Sequence, residues 1–263
     1  MPQGTKVARI ATWNVNGIRA ATKSGLHAWV RNHDADVILL QEVRAEQSQL
    51  PEEVTALTHY HQVWFPASVK KGYSGTGILS KTPPKKILTG MGYDEFDGEG
   101  RVLGAEFDNF IAVSAYFPNS QDLGARLPFK IRFCDAMADW LKKLGKKGKP
   151  VVLGGDFNIA PYEIDLARPK DNTKSPGFLP EERAWMDGFL KSGWTDTWRH
   201  LHPDTVKYSW WSARTGARAR NIGWRIDFHV VSQKHKQRIL GADMLNDVFG
   251  SDHCPVTLDL ALD

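Results

Sequence analysis

Four apolar runs in this chain each end in an acid, an amide or an imidazole: Trp13-Asn14-Val15-Asn16, Gln41-Glu42, Gly155-Asp156-Phe157-Asn158 and Ser251-Asp252-His253. Strands that end this way deliver polar side chains from distant parts of a chain to one rim of a sheet. The groups are rich in oxygen and contain no thiolate. That set suits a hard divalent cation better than zinc or a redox metal. A hard cation with carboxylates and an imidazole meets the demands of phosphodiester hydrolysis, which needs charge stabilised on the non-bridging oxygens, a water made nucleophilic and a leaving oxygen relieved of charge.

Individual roles follow from position. Glu42 closes Val37-Ile38-Leu39-Leu40 and is the first candidate for a metal ligand; alone, it would read equally well as a solvated acid at a strand end. Asp156 follows Gly155, and Asn158 returns to the same face two residues later. The pair suits a proton acceptor beside a phosphate-holding amide, the alternative being a turn-initiating Asp with an Asn cap. His253 acquires a partner in Asp227, an acid after Ile226 in an otherwise apolar strand, because a buried carboxylate must be paired and would hold the imidazole charged.

A second pattern is aromatic and basic. Of ten tryptophans, Trp210, Trp211 and Trp224 lie among Arg214, Arg218, Arg220 and Arg225 in a stretch almost free of acid. Planar rings interleaved with cations suit a phosphate backbone together with a stacked or extruded base or sugar, whereas core packing is the ordinary use of any single Trp.

The elements that must position these groups are mostly strands. Segments rich in β-branched and aromatic residues recur at 7–15, 36–43, 61–65, 75–80, 102–107, 110–117, 151–157, 226–231 and 255–260, more than one sheet would hold. Helical spacing predicts helices near 26–32, over 128–144 and over 181–191. No repeat or linker divides the 263 residues, so one domain over 1–263 is expected, with two sheets face to face and helices outside. Residues 161–177 form a long loop of weak periodicity directly after Asp156 and Asn158, as functional loops often do.

Composition narrows the setting. Lys+Arg exceed Asp+Glu by 34 to 30, and acids gathered around a cation would leave the remaining surface more basic than +4. Cys134 and Cys254 stand apart and read as buried reduced thiols. No apolar run approaches a membrane span, so the expectation is a cytoplasmic protein, nucleoid-associated if prokaryotic, that does not engage membranes.

In this order the motifs Ile10-Ala11-Thr12-Trp13-Asn14-Val15-Asn16-Gly17, Leu40-Gln41-Glu42, Tyr116-Phe117-Pro118-Asn119, Gly155-Asp156-Phe157-Asn158, Gly223-Trp224-Arg225-Ile226-Asp227 and Ser251-Asp252-His253 span nearly the whole chain. With them the chain resembles exonuclease III-type apurinic/apyrimidinic endonucleases of the endonuclease/exonuclease/phosphatase superfamily. The resemblance implies an α/β fold, a four-layer αββα sandwich like that of deoxyribonuclease I, its two mixed β-sheets packed face to face. It further implies a monomer that cuts duplex DNA 5′ to abasic sites, trims 3′ ends and cleans blocked ones.

It also implies roles. Glu42 would bind Mg²⁺ or Mn²⁺, with Asn14, Asn16 and Asp252 close by. Asp156 would activate water, Asn158 and Tyr116 would contact phosphate, and Asp227 would orient His253. Trp210, Trp224 and Ile226 would wall a pocket for a base-less sugar, while Asn172, Arg44 and Arg220 would contact DNA; Arg44 stands where many relatives carry lysine. Two rival readings remain: another phosphohydrolase of the superfamily, and a catalytically inactive nucleic-acid-binding protein on the same fold. Against the second, the carboxylates and His253 are all present.

Overall fold

The computed structural model describes residues 6–214 and 216–263. Twelve strands in this range form two six-stranded sheets. The first contains, in spatial order, Ile239–Met244 (β11), Val256–Ala261 (β12), Val7–Asn14 (β1), Val37–Gln41 (β2), Thr76–Ser80 (β4) and His61–Phe65 (β3). The second contains Lys86–Thr89 (β5), Val102–Glu106 (β6), Ile111–Tyr116 (β7), Val151–Asp156 (β8), Asp227–Ser232 (β10) and Trp194–Asp196 (β9). Each sheet is antiparallel except at its centre, where β1 runs parallel to β2 and β7 to β8.

Parallel neighbours need a crossover, and helices supply it. Ile18–Lys23 (α1) and Leu26–His33 (α2) connect β1 to β2, while the nineteen-residue Leu127–Gly145 connects β7 to β8. Glu52–Thr55 (α3) and Asp94–Asp97 (α4) are single turns, so Leu127–Gly145 is α5; Pro180–Lys191 (α6) and Thr197–Leu201 (α7) follow. A proline in its first turn starts α5, and Phe133, Met137, Leu141 and Leu144 form its buried stripe. That stripe covers Val113, Ala115, Val151 and Leu153 of the second sheet. On the other side Ile18, Ala21, Leu26 and Val30 cover Ala11, Trp13, Ile38 and Leu40 of the first. The result is the four-layer αββα sandwich expected from the sequence.

Between the sheets, alternation sorts residues by chemistry. Ala8, Ile10, Val37, Leu39, Ala112, Val152 and Val231 pack face to face at one end, where burying each large aliphatic side chain contributes about 1.5–3 kcal/mol. Two residues further along the same faces stand Thr12, Gln41 and Ser114, joined by Gln41 Nε2 donating to Thr12 Oγ1 (2.9 Å) and Ser114 Oγ (3.0 Å). Two further still stand Asn14, Tyr116 and Asp156, and on antiparallel β10 Asp227 pairs in register with Asp156. A period of two thus carries each central strand from an apolar core to a polar rim. Among the described residues no helix is long and apolar enough to cross a membrane.

Candidate active site

The rim of the two parallel pairs is a cleft of about 250 Å³, lined among others by Glu42, Tyr116, Asp156, Asn158, Trp210, Trp224, Ile226 and His253. Carboxyl ends of parallel strands point the same way, so Asn14 with Gln41 and Tyr116 with Asp156 arrive as pairs in register. Just past the strand ends the chain turns sharply: Asn16, Glu42, Arg44 and Asn158 all have positive φ, between 45° and 52°. Asn tolerates this left-handed conformation, whereas for Glu42 and Arg44 it costs about 1 kcal/mol or more and turns their side chains toward the cleft.

Asp156 sits at the centre. Its carboxylate accepts from Asn14 Nδ2 (2.9 Å), the Asn158 backbone N–H (2.8 Å) and Asn158 Nδ2 (3.2 Å). Burial nevertheless raises its pKa well above the usual carboxylate range, reinforced by the charges of Asp227 and Glu42 and opposed by His253. His253 Nδ1 bonds Asp227 Oδ2 at 2.8 Å, and its Nε2 lies 3.9 Å from Asp156 Oδ2. Burial disfavours the imidazolium, but Asp227, Asp156 and Asp252 outweigh it and keep His253 charged above its ordinary range. Tyr116 is the opposite case: burial, then Glu42, push its phenol up and keep it a neutral donor.

Glu42 accepts from Asn14 Nδ2 at 2.8 Å and from the Arg44 guanidinium. Glu42, Asp156 and His253 each bring a ligand atom within 4.8 Å of the others. The carboxylates of Glu42 and Asp156 with neighbouring amide oxygens suit a hard divalent ion, while His253, held charged, is no ligand to it and adds positive charge beside Arg44. Asn14 turns its amide nitrogen to both carboxylates while its Oδ1 accepts the Asn16 N–H (3.0 Å). Asn16 reaches Asp252 Oδ1 (2.9 Å), and Asp252 Oδ2 accepts the Trp210 indole (3.1 Å). Asp252 is thereby tied between the cation side of the cleft and its aromatic wall.

The wall is formed by Trp210 and Trp224, edge to face with centroids 6.3 Å apart, with Ile226 beside them. Of the remaining expected DNA contacts, Arg44 lines the cleft, whereas Asn172 and Arg220 lie outside it. Asn172 spends its amide on Arg168 O (2.9 Å) and accepts from Ser175 Oγ (3.0 Å), so Pro176 and Gly177 are the residues of its loop that line the cleft. Arg44 pairs with Glu42 at the cleft edge, and Arg220 stands exposed outside it. The arginine run divides: Arg225 is buried, bonded to Asp165 (2.8 Å) and Asp196 (2.7 Å), and Arg218 donates to the carbonyls of Ser251, Asn246 and Val248. Those two brace loops rather than present charge to a partner.

Two further residues bonded to these groups were assigned no role from sequence. Asn119 donates to Asn158 Oδ1 (3.0 Å) and lines the cleft; it too ends an apolar run, the signal that marked the others. Ser209 donates to Asp227 Oδ2 (2.7 Å) and has no such signal, being brought there by the pairing of Trp210 with Trp224 and His253.

Residues 11–253 match the Endonuclease/Exonuclease/phosphatase family. The chain is 44% identical to an exodeoxyribonuclease of Bacillus subtilis over 95% of this chain and 98% of that protein. It is 41% identical to the DNA repair nuclease APEX1 of Danio rerio, over 97% and 82% respectively. Among solved structures, an AP endonuclease from Leishmania major superposes with a TM-score of 0.88 at 28% identity, covering 97% of this chain and 88% of that one.

Proposed function

The chain belongs to the Endonuclease/Exonuclease/phosphatase family, and on that premise we propose that it is a divalent-metal-dependent DNA repair nuclease that hydrolyses the phosphodiester 5′ to abasic sites in duplex DNA. Exonucleolytic trimming and cleaning of blocked 3′ ends use the same cleft. The observation that carries this reading is the meeting of Glu42, Asp156 and His253, drawn from three distant segments, beside the Trp210–Trp224–Ile226 wall. An inactive binding protein has no use for a buried acid held against a charged imidazole, since both groups are costly to bury without a reaction to serve.

Mg²⁺ or Mn²⁺ would be held by Glu42, with Asn14, Asn16 and Asp252 around it. Once bound, the ion supplies charge to a phosphate oxygen and lowers the pKa of water. The chain's own groups do the rest. Asp156, its basicity raised by burial, takes the proton of the attacking water. His253, kept charged by Asp227, stabilises negative charge building on the phosphoryl oxygens, and the neutral Tyr116 phenol and Asn158 position the phosphate. The aromatic wall accepts a sugar without a base, whereas an intact nucleotide would first have to be unstacked. We place the working protein in the cytoplasm as a monomer.

The test is a side-by-side assay on abasic, 3′-phosphate and recessed-end duplexes with Mg²⁺ and then with chelator. Strand scission 5′ to the abasic residue that disappears with chelator is expected. Scission that survives full chelation would remove the metal from the mechanism.

A further inference from the structure

Behind the floor of the cleft Lys130 Nζ and Glu182 Oε1 meet at 2.7 Å, both side chains wholly shut from solvent. Lys130 belongs to the first turn of α5 and Glu182 to the first turn of α6. Neither lines the cleft. Yet every remaining bond of the pair goes to a segment that does. Lys130 Nζ donates to the carbonyl of Asn158 at 2.7 Å. Glu182 Oε1 accepts from Ser120 Oγ (2.6 Å), next to Asn119, and Oε2 accepts from the backbone N–H of Gly177 (2.7 Å) and Leu179 (3.0 Å). Three loops, each contributing a residue to the cleft, thus end on one ion pair.

Stability does not explain such a pair. Two well-packed apolar side chains of similar volume usually hold a fold as well or better, because desolvating two charges consumes most of their attraction. What the pair adds is direction: five bonds fix Asn158, Ser120 and Gly177 relative to each other. The fit at Gly177 has no slack, since a Cβ there would stand 3.1 Å from Asn158 O and 3.3 Å from the Trp224 ring, at φ +90°. The Asn158 carbonyl and the Trp224 ring therefore flank Gly177 closely, and Glu182 clamps Gly177 between them.

We propose that Lys130 and Glu182 are positioning residues that hold the phosphate-contacting Asn158 at a fixed distance from the Trp224 wall, so that a bound sugar and its 5′ phosphate reach the hydrolytic groups together. The inference rests on the nuclease reading of this cleft. It is tested by Lys130→Met/Glu182→Met, which keeps volume and removes the directional bonds. The double variant is expected to fold, with kcat for abasic incision down roughly 10- to 100-fold, as for a displacement of about an ångström at a reacting centre. KM should change little, and Mn²⁺ affinity, followed by tryptophan fluorescence without DNA, should be unchanged.

A folded double variant with wild-type kcat overturns the proposal. Should the double variant not fold, Glu182→Gln keeps the shape and loses the charge; a several-fold lower kcat at constant KM supports the pair, and wild-type kcat overturns it. Failure of the nuclease reading would show separately, in a wild-type protein that cuts no DNA. In that event the amide resonances of Asn158 and Gly177 decide: they shift in Glu182→Gln if the pair sets their placement, and unmoved resonances refute it.

Discussion

At the scale of single residues the cleft centres on one buried carboxylate. Asp156 receives three hydrogen bonds, lies 3.9 Å from the His253 imidazole and has no exposed surface to speak of. Asp156→Asn keeps the shape and removes the proton acceptor, and His253→Ala removes the charge that faces the phosphate. Each should lower abasic-site incision by at least roughly a hundredfold, measured as single-turnover rates with saturating Mg²⁺; turnover within a few-fold of wild type in either would take that residue out of the reaction. Most of this cluster was legible because each member ends an apolar run, a local signal. Arg225 and Arg218 misled for the complementary reason: sequence shows the sign of a charge but not the carboxylates or carbonyls that absorb it, and Asp165 and Asp196 lie 60 and 29 residues from Arg225. Ser209 was invisible, since nothing about a serine before two tryptophans tells that Asp227 will lie across from it.

At the scale of elements, the geometry depends on how closely β7 and β8 run. Gly155 leaves no room for a side chain, because a Cβ would fall 1.8 Å from the carbonyl oxygen of Ala115 on the neighbouring strand. The pairing of Ala115 with Gly155 and of Tyr116 with Asp156 is therefore possible only with glycine there. Gly155→Ala must part the two strands, at a cost of about 3 kcal/mol, the upper end for overpacked core positions. Chemical denaturation should show that loss, and any folded fraction should incise poorly because Tyr116 and Asp156 no longer share a register; a variant of wild-type stability would mean the strands have slack. The strands near such pairs were readable from their continuous β-branched runs, buried on both faces. The ones missed, Lys86–Thr89, Trp194–Asp196 and Ile239–Met244, lie at or beside sheet edges. The first two are four and three residues long, and the third carries an irregularity between Ile239 and Gly241. Edge pairing is decided by a neighbour far away in sequence, which local pattern does not record. α1 was missed because six residues opening on Gly17 at φ 103° give too little periodicity to detect.

At the scale of the whole molecule, the sandwich is a gradient, apolar at one end of the inter-sheet space and ionic at the other, and its midpoint holds a weak spot. His229 lies two residues from Asp227 on the same face, fully enclosed, with neither ring nitrogen hydrogen-bonded. The ring occupies space left by Gly154, where a Cβ would come within 2.8 Å of it. Burial alone drives its pKa from 6.5 down to about 3. The unfolded chain therefore takes up a proton below pH 6.5 that the folded chain refuses until about pH 3. Stability is complete above the unfolded value and falls with pH through that window, by about 1.4 kcal/mol per unit at most and roughly 2–3 kcal/mol by pH 4.5. Replacing the ring by one that cannot titrate, as in His229→Leu, should remove this part of the acid sensitivity whatever offset the substitution itself brings, since the offset cancels between two pH values. Urea unfolding of both proteins at pH 7 and pH 4.5 separates the terms: a smaller drop in the variant is expected, while equal drops would mean that water or a proton reaches His229 in the folded state and that the space between the sheets is not sealed below the cleft.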